Sequence, residues 1–416
     1  MNEPTKIFVG VTTNGAANKA RYVSKVYVGD SNSVARKVRK GYIGDQYNKA
    51  RLFFNALPEL EKQTVSGTLY RGYRNAETDT NGAELANNAV FGGRYYSAGT
   101  PDWYGTRINS DLTVHPISTD GSQYLACRMF TPLGANATRL AGKNTGATAT
   151  MGRYAVIMDD EFTPTSVQVS GLSRYDSQVC GDTYTSNHAL FNYIDTSDEE
   201  AYVYGLTSLD KELTSATTVT SAGYIFGGAY GGVYMGGSAY GVNPMLKVDD
   251  DLVHTVNSLF NTGIKGDITR ADNVLICSGG ERVRSGSTYQ NYNYFSMFDE
   301  ELTGMRIKTI SLGDNDYPYW YNMKAGHTPS TAIFSGGRNG QTTTELGESL
   351  YVVSRDVYAF DKYGTELDCA NFVIGRYSHG SGSVGDYCVF AGGHNEIKGG
   401  TGEEMWEVSL EVYKEK

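Results

Sequence analysis

The sequence predicts an all-β chain, a β-propeller of seven blades preceded by a small β-hairpin-repeat module. Three observations predict it. An apolar run ending in small residues recurs along the chain, and a short acidic turn follows it in each unit. The units are spaced near the roughly 50 residues that a four-stranded blade with such a pattern occupies.

The apolar runs come first in each unit. They read Ala89-Val90-Phe91-Gly92-Gly93, Tyr224-Ile225-Phe226-Gly227-Gly228, Leu275-Ile276-Cys277-Ser278-Gly279-Gly280, Ala332-Ile333-Phe334-Ser335-Gly336-Gly337 and Cys388-Val389-Phe390-Ala391-Gly392-Gly393. Arg139-Leu140-Ala141-Gly142 and Ala189-Leu190-Phe191-Asn192 are degenerate copies. Glycine at the end permits a sharp exit and close backbone packing where a Cβ would clash.

The acidic turns follow. Ile108-Asn109-Ser110-Asp111-Leu112, Met158-Asp159-Asp160-Glu161-Phe162, Leu209-Asp210-Lys211-Glu212-Leu213, Val248-Asp249-Asp250-Asp251-Leu252 and Phe298-Asp299-Glu300-Glu301-Leu302 share one form. Phe360 to Leu367 is a longer sixth copy. Polar turn residues between apolar strand ends mark a tight hairpin joining the last two strands of a blade. The chain stops at Glu407-Val408-Ser409-Leu410 and beyond, short of a seventh turn. Closing the ring then falls to the segment around Thr68-Leu69-Tyr70 or to the strand before it. Six blades result if one unit is not a blade.

The first 55 residues differ in charge and period. They hold ten Lys or Arg against Glu3, Asp30 and Asp45, although the chain as a whole carries −10. Such a change of sign marks different roles for the two parts. Val26-Tyr27-Val28-Gly29-Asp30 returns fifteen residues on as Gly41-Tyr42-Ile43-Gly44-Asp45, and Val34-Ala35-Arg36 returns as Lys49-Ala50-Arg51. A looser copy reads Ile7-Phe8-Val9-Gly10 and Lys19-Ala20-Arg21. Each copy alternates apolar runs with turn residues, a hairpin signature. The expected organisation is a basic hairpin module over 1–55 and a linker or short helix over 56–65, with Pro58-Glu59-Leu60 as first turn. The propeller follows over 66–416.

Composition excludes several classes. With 50 Gly, 32 Tyr and 40% hydrophobic residues the chain is globular and β-rich. No run approaches the ~18 apolar residues of a membrane helix, and Met1 to Lys19 lacks a secretion-signal layout. Cys127, Cys180, Cys277, Cys369 and Cys388 are odd in number and without a CxxC pair, so free thiols and a reducing site of synthesis are expected.

The long repeat resembles kelch repeats, in which strand two closes on Gly-Gly and strand three carries an aromatic before the hairpin. It departs from them in lacking the Trp of the fourth strand, since the tryptophans are Trp103, Trp320 and Trp406. Val34-Ala35-Arg36-Lys37-Val38 and Gly41-Tyr42-Ile43-Gly44, ahead of such repeats, resemble proteins of Gram-positive bacteriophage and prophage tails. That resemblance implies a virion location, with synthesis in the host cytoplasm.

In an up-and-down blade the strand two-to-three and inter-blade connections share one face. That face would gather Tyr95, Tyr96, Trp103, Tyr104, Tyr230, Tyr234, Tyr240, Tyr292, Tyr317, Tyr319, Trp320 and Tyr321. Aromatics among Gly, Ser and Asn give contact area at low entropic cost, which suits a sugar or a protein. Packing between blades is the plainer use of any one of them. The binding candidates are Tyr95, Tyr96, Trp103, Tyr104, Tyr230, Tyr234, Tyr317, Tyr319 and Trp320. The opposite face repeats Asp111, Asp160, Glu161, Glu212, Asp250, Asp251, Glu300, Glu301 and Glu366, as solvated turns or as an acidic ring. Arg36, Lys37, Arg39, Lys40 and Arg51 are the assembly candidates.

Catalytic motifs are missing. His115, His188, His254, His327, His379 and His394 fall about one to a unit, and no HExxH, GxSxG or P-loop occurs. Asp314-Asn315-Asp316 and Asp195 to Asp198 offer oxygen ligands but do not continue as an EF-hand. The expectation is therefore a chain without enzymatic activity, cofactor or metal. It would be a virion component whose propeller binds protein or host surface, with other tail proteins and copies of itself as partners. Nucleic acid and membrane insertion are not expected. A glycan-active propeller enzyme and an intracellular interaction scaffold are the alternatives.

Overall fold

The computed structural model describes residues 26–29, 35–38, 40–44, 50–55, 59–66, 83–85, 87–92, 95–97, 100–102, 104–118, 124–126, 131–134, 136–144, 149–158, 164–168, 183–195, 203–212, 216–220, 226–236, 245–257, 266–285, 288–313, 323–343, 349–377, 379–395, 405–406 and 409–416. These fall into two compact units, Met1–Glu59 and Leu60–Lys416. In the first unit Val26–Gly29 pairs antiparallel with Ala35–Val38, and Lys40–Gly44 with Ala50–Asn55. The copy over 7–21 lies outside the described residues.

The second unit is all-β with a propeller arrangement. Its first sheet runs Ala83–Leu85, Asn88–Gly92, Tyr104–Asn109, Val114–Ser118, each strand antiparallel to the one before. Sheets 2 to 6 repeat this up-and-down order, sheet 2 with five strands and the others with four. Their first strands are Thr131–Leu133, Thr183–Tyr184, Phe226–Tyr230, Ile268–Ala271 and Lys324–Thr328. Sheet 7 opens with Gly380–Val384. First strands of successive sheets touch, and that of sheet 7 touches that of sheet 1, so the contacts close a cycle.

The closing strand corrects one expectation. Sheet 7 takes Gly380–Val384, Tyr387–Ala391 and Ser409–Glu415 from the end of the chain and Leu60–Ser66 from near its start. Leu60 stands opposite Glu415 and Ser66 opposite Ser409. The stretch expected as linker or helix is thus an outer strand from Leu60 onward. Leu60 and Lys62 are half-buried while Glu61 and Gln63 are exposed, as in a strand with one covered face, and an open edge in the last sheet supplies the partner that outweighs the helical start at Pro58.

The core lies between sheets. Ala89, Phe91 and Ile108 of sheet 1 pack on Val384, Val389, Ala391, Leu410 and Val412 of sheet 7. Phe295 of sheet 5 meets Phe334 and Phe360 of sheet 6 at ring centroids 5.2 and 4.9 Å apart. Among the described residues, Cys277 and Cys388 are buried free thiols and Cys369 is half-buried and free. Cys127 and Cys180 lie outside them.

Both sequence landmarks have a backbone cause. Gly336, Gly337, Gly392 and Gly393 have φ of 66°, 93°, 69° and 99°, so side chains are disfavoured where the second strand turns out of sheets 6 and 7. In sheet 4 the landmark is displaced. Phe226–Tyr230 is the first strand, and the second is Val233–Gly236, so Val233-Tyr234-Met235-Gly236-Gly237 holds the place assigned above to Tyr224 to Gly228. Two Gly-Gly pairs nine residues apart make the segment readable either way.

The acidic turns of sheets 1, 4, 5 and 6 are three-residue hairpin loops. Leu112, Leu252 and Leu302 sit at φ of 66°, 62° and 61°, the position that Gly364 fills at 72° in the longer copy. The leading Asp organises the loops of sheets 4 to 6: Asp299 Oδ1 accepts the Thr303 N–H at 2.7 Å, and Asp249 Oδ1 accepts the N–H groups of Asp251 and Val253 at 3.0 and 2.8 Å. Asp361 Oδ1 does the same for Tyr363 and Thr365 at 2.9 and 2.8 Å. Asp111, Asp250, Asp251, Glu300 and Glu301 are exposed, as solvated turn residues are. The strand one-to-two turns lie beside these loops: Ser110 N–H donates to Asn87 O at 3.0 Å, and Lys362 Nζ reaches Asp272 at 2.7 Å.

Candidate functional site at the propeller axis

Because the first strands line the axis, residues near their ends meet across the ring although they are far apart in sequence. Glu84 comes from sheet 1, Tyr184 from sheet 3, Tyr230 from sheet 4, Arg270 from sheet 5, His327 from sheet 6 and Ser383 from sheet 7. Each lies within two residues of the end of its first strand. The group therefore sits toward the end of the ring that carries the acidic hairpins.

His327 is the hub. Arg270 Nε donates to its Nε2 at 3.1 Å, so that nitrogen must offer its lone pair. The ring is then neutral with its proton on Nδ1, which lies 3.0 Å from Ser383 Oγ and 3.5 Å from Glu84 Oε1. Burial first, and then the charge of Arg270, pushes the His327 pKa down to about 3. Ser383 also receives the backbone N–H of His327 at 3.0 Å and so fixes the strand as well as the ring.

Glu84 is the acid. Tyr230 donates to its Oε2 at 3.3 Å. Burial pushes its pKa up from an ordinary 4.5 to about 7, although hydrogen bonds from Ser383 and Tyr230 and the charge of Arg270 act in the opposite sense. Its side chain nevertheless remains 18% exposed. Tyr184 and Tyr230 are hydrogen-bonded to each other, and burial followed by the Glu84 charge drives both phenols upward.

Arg270 forms the open side. It is exposed, its guanidinium lies 5.9 Å from the Tyr230 ring centroid, and the Tyr230 ring meets the His327 ring edge-on at 5.4 Å. Its Nε is committed to His327, while its terminal nitrogens have no hydrogen-bond partner among the described residues. The arrangement presents a cation, two phenols and an acid titrating near neutrality around one opening. It can hold an anion, and it can move a proton through Glu84.

Of the candidates named from sequence, Tyr230 alone has a described side chain, and it is half-buried at the axis rather than on the connection face. The misplaced Gly-Gly landmark in sheet 4 accounts for the difference. Tyr95 and Tyr96 lie in Tyr95–Ser97, paired with Thr100–Asp102. Tyr104 opens the third strand of sheet 1, and Tyr234 lies in the second strand of sheet 4. Arg36 and Lys37 fall in Ala35–Val38, Lys40 in Lys40–Gly44 and Arg51 in Ala50–Asn55. Trp103, Tyr317, Tyr319, Trp320 and Arg39 lie outside the described residues, as do Asp314 to Asp316. Sequence reading missed Glu84, Tyr184, Arg270 and Ser383. Among the described residues no three His, Cys, Asp or Glu side chains gather as a metal site would require.

No family model matches the chain, and no curated protein does. Among solved structures, an oligogalacturonate lyase from Vibrio parahaemolyticus is similar in fold. It is 10% identical, with a TM-score of 0.44, over 86% of this chain and 97% of that one. The structure of YjhT is 12% identical, with a TM-score of 0.40, over 66% of this chain and 94% of that one. The expectation that this chain is not an enzyme loses its ground here. Its premise was scattered histidines, and His327 in fact converges on an acid, a cation and two phenols from other sheets. The likeness is one of β-propeller fold.

Proposed function

We propose that Leu60–Lys416 is a seven-bladed propeller, each of its sheets one kelch-like blade, that receives a ligand at the axial opening beside Arg270. In this reading the chain is an attachment component of a phage-tail type. The basic hairpins of the first unit assemble with neighbouring proteins, and the propeller contacts protein or host surface. The observation that carries the binding role is the convergence of Glu84, Tyr184, Tyr230, Arg270 and His327 from five sheets on one opening. Exposed Arg270 provides the entry point. The fifteen-residue repeat with its VARKV and GYIG copies supports the attachment role. The test is binding of purified chain to host cells, with Arg270→Ala as the comparison. Loss of binding with the fold intact is expected, and unchanged binding would remove the axis from the interaction. Co-purification with particles tests the virion assignment.

A second reading is that the axis turns its ligand over. The pairing of Glu84, titrating near neutrality, with a neutral imidazole favours it. Release of product from wall polysaccharide by wild-type chain, lost in Glu84→Gln, is the expected outcome.

A further inference from the structure

We propose that the axial opening binds a small oxyanion and that Glu84 takes up one proton as it does so, a step that rests on reading the axis as a ligand site. The geometry requires the two events together. The cation an anion would meet is Arg270, which is exposed and gives its Nε–H to His327. Arg270 is also the cation that acts on Glu84, whose carboxyl is within 3.5 Å of His327 and 3.3 Å of the Tyr230 hydroxyl. Arg270 and Glu84 meet the two nitrogens of the same His327 ring, so an oxyanion on that guanidinium stands about one imidazole away from the carboxylate. Two negative charges sharing one cation in a partly buried site favour protonation of one of them. Protonated Glu84 carries no charge, so the repulsion is removed.

The neighbours leave Glu84 as the group that titrates. Tyr184 and Tyr230 on the first strands of sheets 3 and 4 are driven upward by burial and by Glu84 itself, and so is Cys388 on the second strand of sheet 7. His327 on sheet 6 already accepts from Arg270 on sheet 5 and stays neutral. Ser383 on sheet 7 does not ionise in this range, and Thr131–Leu133 of sheet 2 carries no ionisable side chain. Glu84 itself exchanges its proton at about 7.

The experiment measures binding of acetate and of methanesulfonate, both of constant charge near neutrality, to the full chain at pH 6, 7 and 8. The two probes separate a planar carboxylate from a tetrahedral oxyanion. Affinity is expected to be about tenfold weaker at pH 8 than at pH 6, the ratio of protonated acid at those values for a group titrating near 7. Glu84→Gln should bind at every pH with that dependence gone, and Arg270→Met should lose binding. If Glu84→Gln fails to fold, proton uptake by wild-type chain in weakly buffered solution at pH 8 replaces it, with about 0.9 proton per anion bound expected there. Saturable binding that is the same at pH 6 and pH 8, or uptake of no proton at pH 8, overturns the coupling while leaving the ligand site standing. Absence of binding by either probe at any of the three values overturns the ligand site itself.

Discussion

Two buried polar networks sit at opposite extremes of the ring's design. At the closing sheet, Arg376 is fully buried and donates to Gly392 O, Ser409 O and Ser409 Oγ at 3.1, 3.0 and 3.0 Å. It reaches Glu411 at 3.4 Å, and Glu411 in turn pairs with Lys62 at 3.0 Å and accepts the Val373 N–H. The Phe372 ring covers this cluster, 5.1 Å from the Arg376 guanidinium. At the axis the network is left open along Arg270. A polar cluster that holds a sheet shut is sealed, whereas one that holds its acid at about 7 beside an exposed cation is arranged to exchange something with solvent.

The largest expected effect breaks the sealed network. Glu411→Ala leaves Arg376 buried without its carboxylate, and stability should fall by about 3–5 kcal/mol in chemical denaturation. A change below about 1 kcal/mol would show that the closing sheet does not depend on the ion pairs.

The next effect is a pH dependence with two opposed parts. Glu84 has a raised pKa in the folded state, so its contribution falls as pH rises from 4.5 to about 7. His327 has a lowered one, so its contribution falls as pH drops from 6.5 to about 3. Between 4.5 and 6.5 the two offset each other. In a His327→Gln background, stability should therefore decline by on the order of 3 kcal/mol between pH 4.5 and 7. In Glu84→Gln it should instead rise from pH 3 to 6.5. Equal slopes in the two variants would contradict the assigned environments.

Arg270→Ala should lower stability by only about 1 kcal/mol, the value of one hydrogen bond at an exposed residue, while abolishing ligand binding. Smallest of all, Lys362→Ala removes an exposed pair to Asp272 and should leave the unfolding midpoint within error.

The contrast also explains what the sequence disclosed. Repeated local chemistry was legible, because the glycines after Phe334-Ser335 and Phe390-Ala391 and the leading Asp of the turns at 249, 299 and 361 answer to backbone demands within a few residues. The axial centre was not, because its members are separated by whole units. Histidines spread one to a unit were read as evidence against a site, yet a ring whose first strands line an axis builds its centre from such dispersed positions. A polar or aromatic residue just before each strand one-to-two turn, as with Glu84, Tyr184, Tyr230 and His327, was the available signal. The ion pairs of the closing sheet were equally hidden, since Lys62 lies in the segment expected to be a linker.

That closing strand also sets the order of assembly. Leu60–Ser66 is synthesised before every other strand of the ring, and its partner Ser409–Glu415 after every other one. The pairing spans nearly the whole unit, so it bears the highest loop-closure cost and forms last. Until then a nascent strand waits with an unpaired edge, and Glu61, Lys62 and Gln63 give it the charged, polar character that discourages pairing with the wrong chain. Lys62, bound at the end to Glu411, spends the interval as a guard against aggregation.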